Sequence, residues 1–416
     1  MGRTAIYMVI GFSTIFLFIG KSYYDIKLQA LDNSLNYYER SQLYNVASAG
    51  ANIACSQLFQ DNNWRAGYSD ISFNGGKFSV TVTDTTERRV NIVSVGTFQG
   101  TTQVVRVLMQ PSNFGKFAVF NGDEKGVKWA SGDTVWGPYH TNSKLEATGS
   151  PVFYGKVSAL EGKSGGTPKF YGGFTSGVSL PLPQKIITSD SAKVNGKYID
   201  NIDTVWASFN SNGTVSIRQK KSVPLKDTSF TTLINAFAPN GAVTYYGAVI
   251  RVKGTVNGRV TFSTVGDSTS AGFSSSNKKG GKIFIDSSIV YNSNPKTNPN
   301  STDMLGLVGT DSVIISNNTN NVTPTKKGID LQAAIFTLKS FSAQDYSTIK
   351  VGGSYVGNIR LVGGITQNER GAVATSGGWG GGSGFLKSYF YDERLLVTPP
   401  PGYPLTGGFE IVSWFE

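Results

Sequence analysis

The chain has a single cysteine, Cys55, and a single histidine, His140, among 416 residues. One thiol excludes an intramolecular disulfide, and the two counts together exclude a structural zinc site built from several Cys and His. Charge is scarce as well: Asp, Glu, Lys and Arg make up 16% of the residues, while aromatics make up 12%. That balance excludes a disordered chain, which needs many charges and few aromatics. No proline occurs between Met1 and Trp64, and no charged residue between Arg3 and Lys21.

What is present is glycine, fifty of them, in a pattern of short β runs closed by turns. The formal net charge is +11. Its densest groups are Arg88-Arg89, Arg218 with Lys220-Lys221, Lys278-Lys279 and Lys326-Lys327, each short and set among polar or turn residues. Nucleic-acid binding calls for a basic stripe interleaved with aromatics and a recognised motif. Neither accompanies these pairs, so no nucleic-acid partner is expected, and the excess charge reads as a solvated surface.

Thr4–Gly20 reads TAIYMVIGFSTIFLFIG, and as a helix it rises about 26 Å, enough for a bilayer core. Ile6, Val9, Ile10, Phe12, Ile15, Phe16, Leu17, Phe18 and Ile19 are the large apolar residues singled out in it, candidates for a membrane anchor and the core of a filament. It runs into Lys21-Ser22-Tyr23-Tyr24, which lacks the small-x-small site of a cleavable signal. The tyrosines suit the membrane interface, and Arg3 favours a cytoplasmic start, giving an N-in, C-out anchor.

The helical pattern continues through Leu28, Leu31, Leu35 and Tyr38, then Leu43, Val46, Ala49, Ile53 and Leu58, and predicts one helix over about 3–60, closed by Asp61-Asn62-Asn63. Ala47, Ala49, Gly50, Ala51 and Ala54 form a small-residue patch that lets a sheet or another helix approach closely. Cys55 beside them reads as buried and inert. The plainer alternative is a single-pass anchor with a stalk helix.

Ile71–Gln110 reads as a three-stranded antiparallel meander, with Phe78, Val80 and Val82 alternating with polar residues after the turn Asn74-Gly75-Gly76. Beyond about 113 the β runs shorten, and from Val260 onward they recur every 20 to 30 residues or so, the coil length of a stacked β-solenoid. Residues 172–240 read as an inserted lobe. The expected fold is therefore α+β: a long N-terminal helix packed on a pilin-like antiparallel sheet, followed by a large β-rich body, a parallel β-helix or alternatively a sandwich. The domains are 1–21 (transmembrane), 22–112 (helix and meander) and 113–416 (β body with its insertion).

Catalytic and cofactor signatures are missing. His140 has no nucleophile-elbow sequence and reads as a hydrogen-bonded turn residue in Gly137-Pro138-Tyr139-His140-Thr141-Asn142. Gly162-Lys163-Ser164 fails as a phosphate loop because the required earlier glycine is Val157. Asp123-Glu124 and Asp392-Glu393 are adjacent pairs, and neighbours on a strand point to opposite faces. No enzyme activity, cofactor or metal is expected.

Several stretches resemble a known group. Asn45-Val46-Ala47-Ser48-Ala49-Gly50-Ala51-Asn52-Ile53-Ala54 is similar to the alanine-and-glycine patch late in the first helix of PilX-type pilin-like proteins of bacterial type IV pilus systems. Many of those carry a glutamate where this chain has Ser48. Trp136–Asn142, Gly149–Val157, Tyr389–Leu395, Pro399-Pro400-Pro401 and Ser413-Trp414 resemble the uncharacterised domain often attached to them. Pilins are usually cut after a glycine, with an acid at the fifth mature position. After Gly2 that position is Tyr7, and after Gly11 it is Phe16, so neither supplies the acid. Minor pilins at a filament tip can lack it.

The resemblance implies a structural subunit held in the cytoplasmic membrane before assembly, with the pilus assembly machinery and copies of itself as partners and an extracellular filament as destination. The alternative is a tethered surface adhesin or minor tip pilin whose β body binds glycans or surfaces. Trp379 and Tyr403 are then the candidate binding platforms, with Trp414 beside them.

Overall fold

The computed structural model describes residues 2–85, 89–182, 188–266, 280–325, 327–375 and 381–416. The chain divides into two compact units, Met1–Pro111 with Gly408–Glu416, and Ser112–Gly407.

The first unit is built on α1, Gly2–Gln60. Nothing in 59 residues interrupts the i to i−4 ladder, and its length is about 88 Å. It stops at Asp61-Asn62-Asn63, where the Asp61 carboxylate accepts from the Asn63 N–H at 3.0 Å and turns the chain. The meander has four strands rather than three: β1 (Tyr68–Phe73), β2 (Gly76–Asp84), β3 (Val90–Phe98) and β4 (Thr101–Asn113), paired antiparallel in sequence order. Asn74-Gly75 and Gln99-Gly100 both adopt positive φ, as two-residue hairpin turns require. A fifth strand, Leu405–Phe415, lies beside β4. Across that pair Gln110 Nε2 donates to Glu410 Oε1 at 2.8 Å, and Phe409 joins the buried cluster of α1, β2, β3 and β4.

The second unit is made of short strands stacked mainly in parallel. One ladder runs through Lys197–Ile199, Ala242–Tyr246, Arg259–Val265, Met304–Gly309, Ile329–Thr337 and Gly357–Glu369. It then continues through Val119–Asp123, Tyr139–Thr141, Val157–Ala159 and Phe174–Ser176. A second ladder joins Thr204–Phe209, Val249–Val256, Ile283–Tyr291, Val313–Ile315 and Phe341–Ala343. A third shares the later halves of Val249–Val256 and Ile283–Tyr291. It passes through the start of Ile329–Thr337, then Gly357–Glu369, Ser383–Tyr391, Thr134–Trp136 and Val152–Phe153 to Lys169–Phe170. Antiparallel pairs interrupt this: Thr204–Phe209 with Thr214–Lys221, the latter with Lys226–Leu233, and Ala374–Thr375 with Ser383–Tyr391. The sheets are therefore mixed.

Chain order and stacking order differ. The first strands of this unit, 119–176, stack beyond its last ones, so that Val119–Asp123 lies on Gly357–Glu369 and Thr134–Trp136 on Ser383–Tyr391. The stretch expected as an inserted lobe instead feeds the ladders with Phe174–Ser176, Lys197–Ile199 and Thr204–Phe209. The hairpin Thr214–Leu233 is the part that departs from them. Most of the polar stretch after Thr264 lies outside the described residues.

The rungs touch closely at one corner. A Cβ on Gly155 would lie 2.1 Å from the Gly137 carbonyl oxygen, and one on Gly172 would lie 2.3 Å from the carbonyl carbon of Gly155. These three glycines each follow an aromatic residue, Trp136, Tyr154 and Tyr171, and only hydrogen fits where the backbones stack.

Charge is buried where the last rungs meet the first. Arg370 Nη1 donates to Glu124 Oε2 at 2.7 Å and Lys387 Nζ to Asp133 Oδ2 at 2.5 Å. The Arg370 guanidinium stands over the Trp129 ring at 3.9 Å. The Tyr139 hydroxyl donates to Glu124 and accepts from Trp129 Nε1 at 3.2 Å. Burial pushes the Lys387 amine below its usual value, opposed by the Asp133 carboxylate.

Candidate functional site

The outstanding surface is α1 itself. Gly2–Tyr38 is exposed throughout, including Phe16, Leu17 and Phe18 at 69–74%. Among the described residues this is the helix long and apolar enough to cross a membrane, with a mean hydropathy of 1.7 over its best window and none of that window buried. All nine apolar residues from Ile6 to Ile19 singled out in the sequence are exposed. Each such side chain left in water forgoes roughly 1.5–3 kcal/mol of burial, so this segment needs lipid or protein around it. Its one hydroxyl between Ile10 and Ile15 that donates to the backbone, on Thr14, does so to the Ile10 carbonyl at 2.6 Å, as an apolar medium requires.

The second half of α1 is sealed on the sheet. Leu43, Val46, Ala47, Gly50, Ala51, Ala54, Cys55 and Leu58 are buried, a run of i+3 and i+4 steps along one face. Small residues are needed there. A Cβ on Gly50 would meet Ser94 Oγ at 2.5 Å and Phe78 Cδ2 at 2.7 Å, while one on Gly96 of β3 would meet the Ala47 backbone nitrogen at 2.6 Å. Ser94 Oγ donates to the Ala47 carbonyl at 2.7 Å, pinning strand to helix. Ala49 is half-buried and Ile53 exposed, because each falls between the buried steps, about 100° of helix rotation per residue. Leu28, Leu31 and Leu35 do not continue the sheet-facing stripe and are exposed; Tyr38 is 55% exposed but sets its ring edge-on to Phe98 of β3 at 6.4 Å.

Burial pushes the Cys55 thiol up to about 11, opposed only in part by a backbone hydrogen bond.

The other sequence candidates divide. Tyr403 is not a surface platform: it is 2% exposed, with its N–H donating to the Pro400 carbonyl at 3.1 Å. The turn begun by the proline run folds it into a cluster with Phe114, Phe336 and Leu395. Trp379 lies outside the described residues. Trp414 is partly buried against the core of the first unit.

His140 sits in the strand Tyr139–Thr141 rather than a turn, and is fully buried. Its Nε2 bonds Asn142 Oδ1 at 2.9 Å, and Nδ1 bonds Ser158 Oγ at 2.7 Å. Asn142 Oδ1 also accepts from the Leu180 N–H, so the amide orientation makes Nε2 the protonated nitrogen and Nδ1 the acceptor of the Ser158 hydroxyl. The outline is that of a serine–histidine pair, but the imidazole has no exposed surface and no room for a substrate. Burial also holds it below its usual pKa. Asp123 is held low, chiefly by the Lys125 backbone N–H, and Glu124 is the buried partner of Arg370.

A row of rings was missed in the sequence. Phe390, Trp136, Tyr154 and Tyr171 occupy successive rungs of the third ladder and stack at centroid separations of 5.8, 3.5 and 5.3 Å, with interplanar angles of 13°, 12° and 16°. Tyr171 ends the row, 67% exposed. The signal was available: Trp136-Gly137, Tyr154-Gly155 and Tyr171-Gly172 recur at 17- to 18-residue spacing.

These surfaces define a class by their physics: an amphiphile in which an unsealed apolar helix half continues into a half sealed on an antiparallel sheet, joined to a β-rich unit. No family model matches the sequence, nor does any curated protein. Among solved structures, the competence-associated pilin ComZ from Thermus thermophilus is similar at 12% identity and a TM-score of 0.39, over 91% of this chain and 97% of that one.

Proposed function

We propose that this chain is a membrane-anchored, pilin-like structural subunit of a bacterial type IV pilus-like filament. The observation that carries the reading is α1: its first half is apolar and wholly unpartnered, while its second half is packed closely on a sheet. An apolar helix of that length is satisfied in a bilayer and equally among identical helices, so one segment serves storage and polymerisation. In this reading the subunit waits in the cytoplasmic membrane, amino terminus inside, until the assembly machinery extracts it and its helix packs among copies in the filament core. The resemblance to PilX-type proteins with an attached domain belongs to the same reading. The parallel ladders support a β-helix for that domain, facing outward. Deleting residues 4–20 should remove the chain from both membranes and sheared filaments; unaltered incorporation would overturn the reading.

A second reading, a surface adhesin or minor tip subunit, is favoured by the exposed aromatic row. The free outer face of Tyr171 and the polar tips of Tyr154 and Trp136 suit stacking and hydrogen bonding to a sugar ring. Tyr171→Ala should reduce retention on a glycan surface while membrane anchoring stays intact; unchanged retention removes the support for this reading.

A further inference from the structure

We propose that the exposed stretch Tyr24–Tyr38 of α1 pairs with the same stretch of a second copy as a parallel, in-register two-helix seam while both chains are in the membrane. The inference rests on the membrane-anchored reading above and adds a partner and a geometry to it.

Tyr24, Leu28, Leu31, Leu35 and Tyr38 are spaced 4, 3, 4 and 3 residues apart, the alternation that keeps apolar side chains on one seam between two helices. The three leucines are 41%, 56% and 51% exposed; sheet contact begins at Tyr38, edge-on to Phe98 at 6.4 Å yet 55% exposed, and the first buried residue of α1 is Leu43. If Leu28 and Leu35 take the first position of each heptad, Lys27 precedes the seam and Asp32 follows it. In a parallel pair the residue before one core position faces the residue five places on in the partner. Lys27 thus meets Asp32 of the second copy, and by symmetry the contact forms twice. Neither side chain has an ion pair within its own chain among the described residues.

The bilayer supplies the orientation. Thr4–Gly20, bounded by Arg3 and Lys21, sets the same insertion depth in every copy, which makes neighbouring helices parallel and brings the two seams to one height. A seam of two heptads is weak in solution, but confinement to a membrane raises the effective concentration of partners. An antiparallel or free-floating partner would gain neither the register nor the doubled charge contact.

The test is cysteine cross-linking in membranes of cells making the full chain with Cys55→Ala, using copper phenanthroline as oxidant. Leu31→Cys is expected to give covalent dimers, and Gln29→Cys, off the seam, roughly tenfold less, a difference of about 1.4 kcal/mol. Lys27→Asp should lower the Leu31→Cys yield, and Lys27→Asp with Asp32→Lys should restore it. Efficient cross-linking between Leu28→Cys and Leu35→Cys copies, or equal yields at positions 29 and 31, would overturn the in-register seam. Should the Leu31→Cys chain fail to accumulate, Tyr24→Cys makes the same measurement. Filament incorporation is scored alongside: incorporation without cross-linking sinks the seam alone, whereas a chain absent from membranes and filaments sinks the anchored reading beneath it.

Discussion

Gly50 shows how much a single hydrogen atom can decide. The space a Cβ would need is already held by Ser94 Oγ and the Phe78 ring, and Ser94 is committed to the Ala47 carbonyl. Gly50→Leu should therefore lower the thermal midpoint of the first unit, with an overpacking cost of about 1–3 kcal/mol; calorimetry on the chain lacking residues 2–20 reads it, and an unchanged midpoint would mean the helix slides freely on the sheet. His140 makes a pH prediction. Its folded pKa lies below the usual value because the ring is buried, so it contributes stability that is complete above about pH 6.5 and is lost as pH falls through the folded value. His140→Gln should flatten the acid limb of the melting profile between pH 7 and 5. Cys55 works in the opposite sense: with its thiol raised to about 11, little thiolate exists at pH 8, and alkylation should require unfolding.

Among the secondary elements, the long helix and the glycine turns were legible because their signals are local. An apolar run, a missing proline, Asn-Gly and a terminating Asp-Asn-Asn cluster each act within a few residues. The fifth strand of the first sheet was not legible, since nothing near Leu405–Phe415 names β4, three hundred residues earlier, as its partner. Tyr403 was misjudged for the same reason: a tyrosine after a proline run reads as exposed until tertiary packing covers it. The aromatic-glycine rungs were within reach but masked, because their spacing is shorter than the later coils. The junction where residues 119–141 stack on 357–391 also lay beyond local pattern, and there the buried Arg370–Glu124 pair links segments far apart in sequence. Arg370→Met leaves Glu124 buried without its cation and should cost about 3–5 kcal/mol. Adding Glu124→Met should recover much of that loss in denaturant melts. If the single and double variants unfold alike, the pair is not what holds the junction.

For the whole chain, a stack of parallel strands ends in open edges that invite uncontrolled pairing, and the proposed assembly through the helix requires those edges to stay unpaired. The first ladder has ten strands, spanning roughly 43 Å at the usual strand spacing, and among the described residues its outermost strands are Lys197–Ile199 and Phe174–Ser176. The third ladder ends at Lys169–Phe170, and the antiparallel extension of the second ends at Lys226–Leu233. Lys169, Lys197 and Lys226 are all exposed. A desolvated ammonium is the cost any strand docking there would incur, and with a net charge of +11 two such ends also repel each other. Replacing Lys169 and Lys197 together by valine should therefore leave the fold intact but raise the average mass of the chain lacking residues 2–20, in a concentration-dependent way, when light scattering compares it with its parent. An unchanged mass would mean that backbone geometry, rather than the charge of these lysines, keeps the ends of the β unit unpaired.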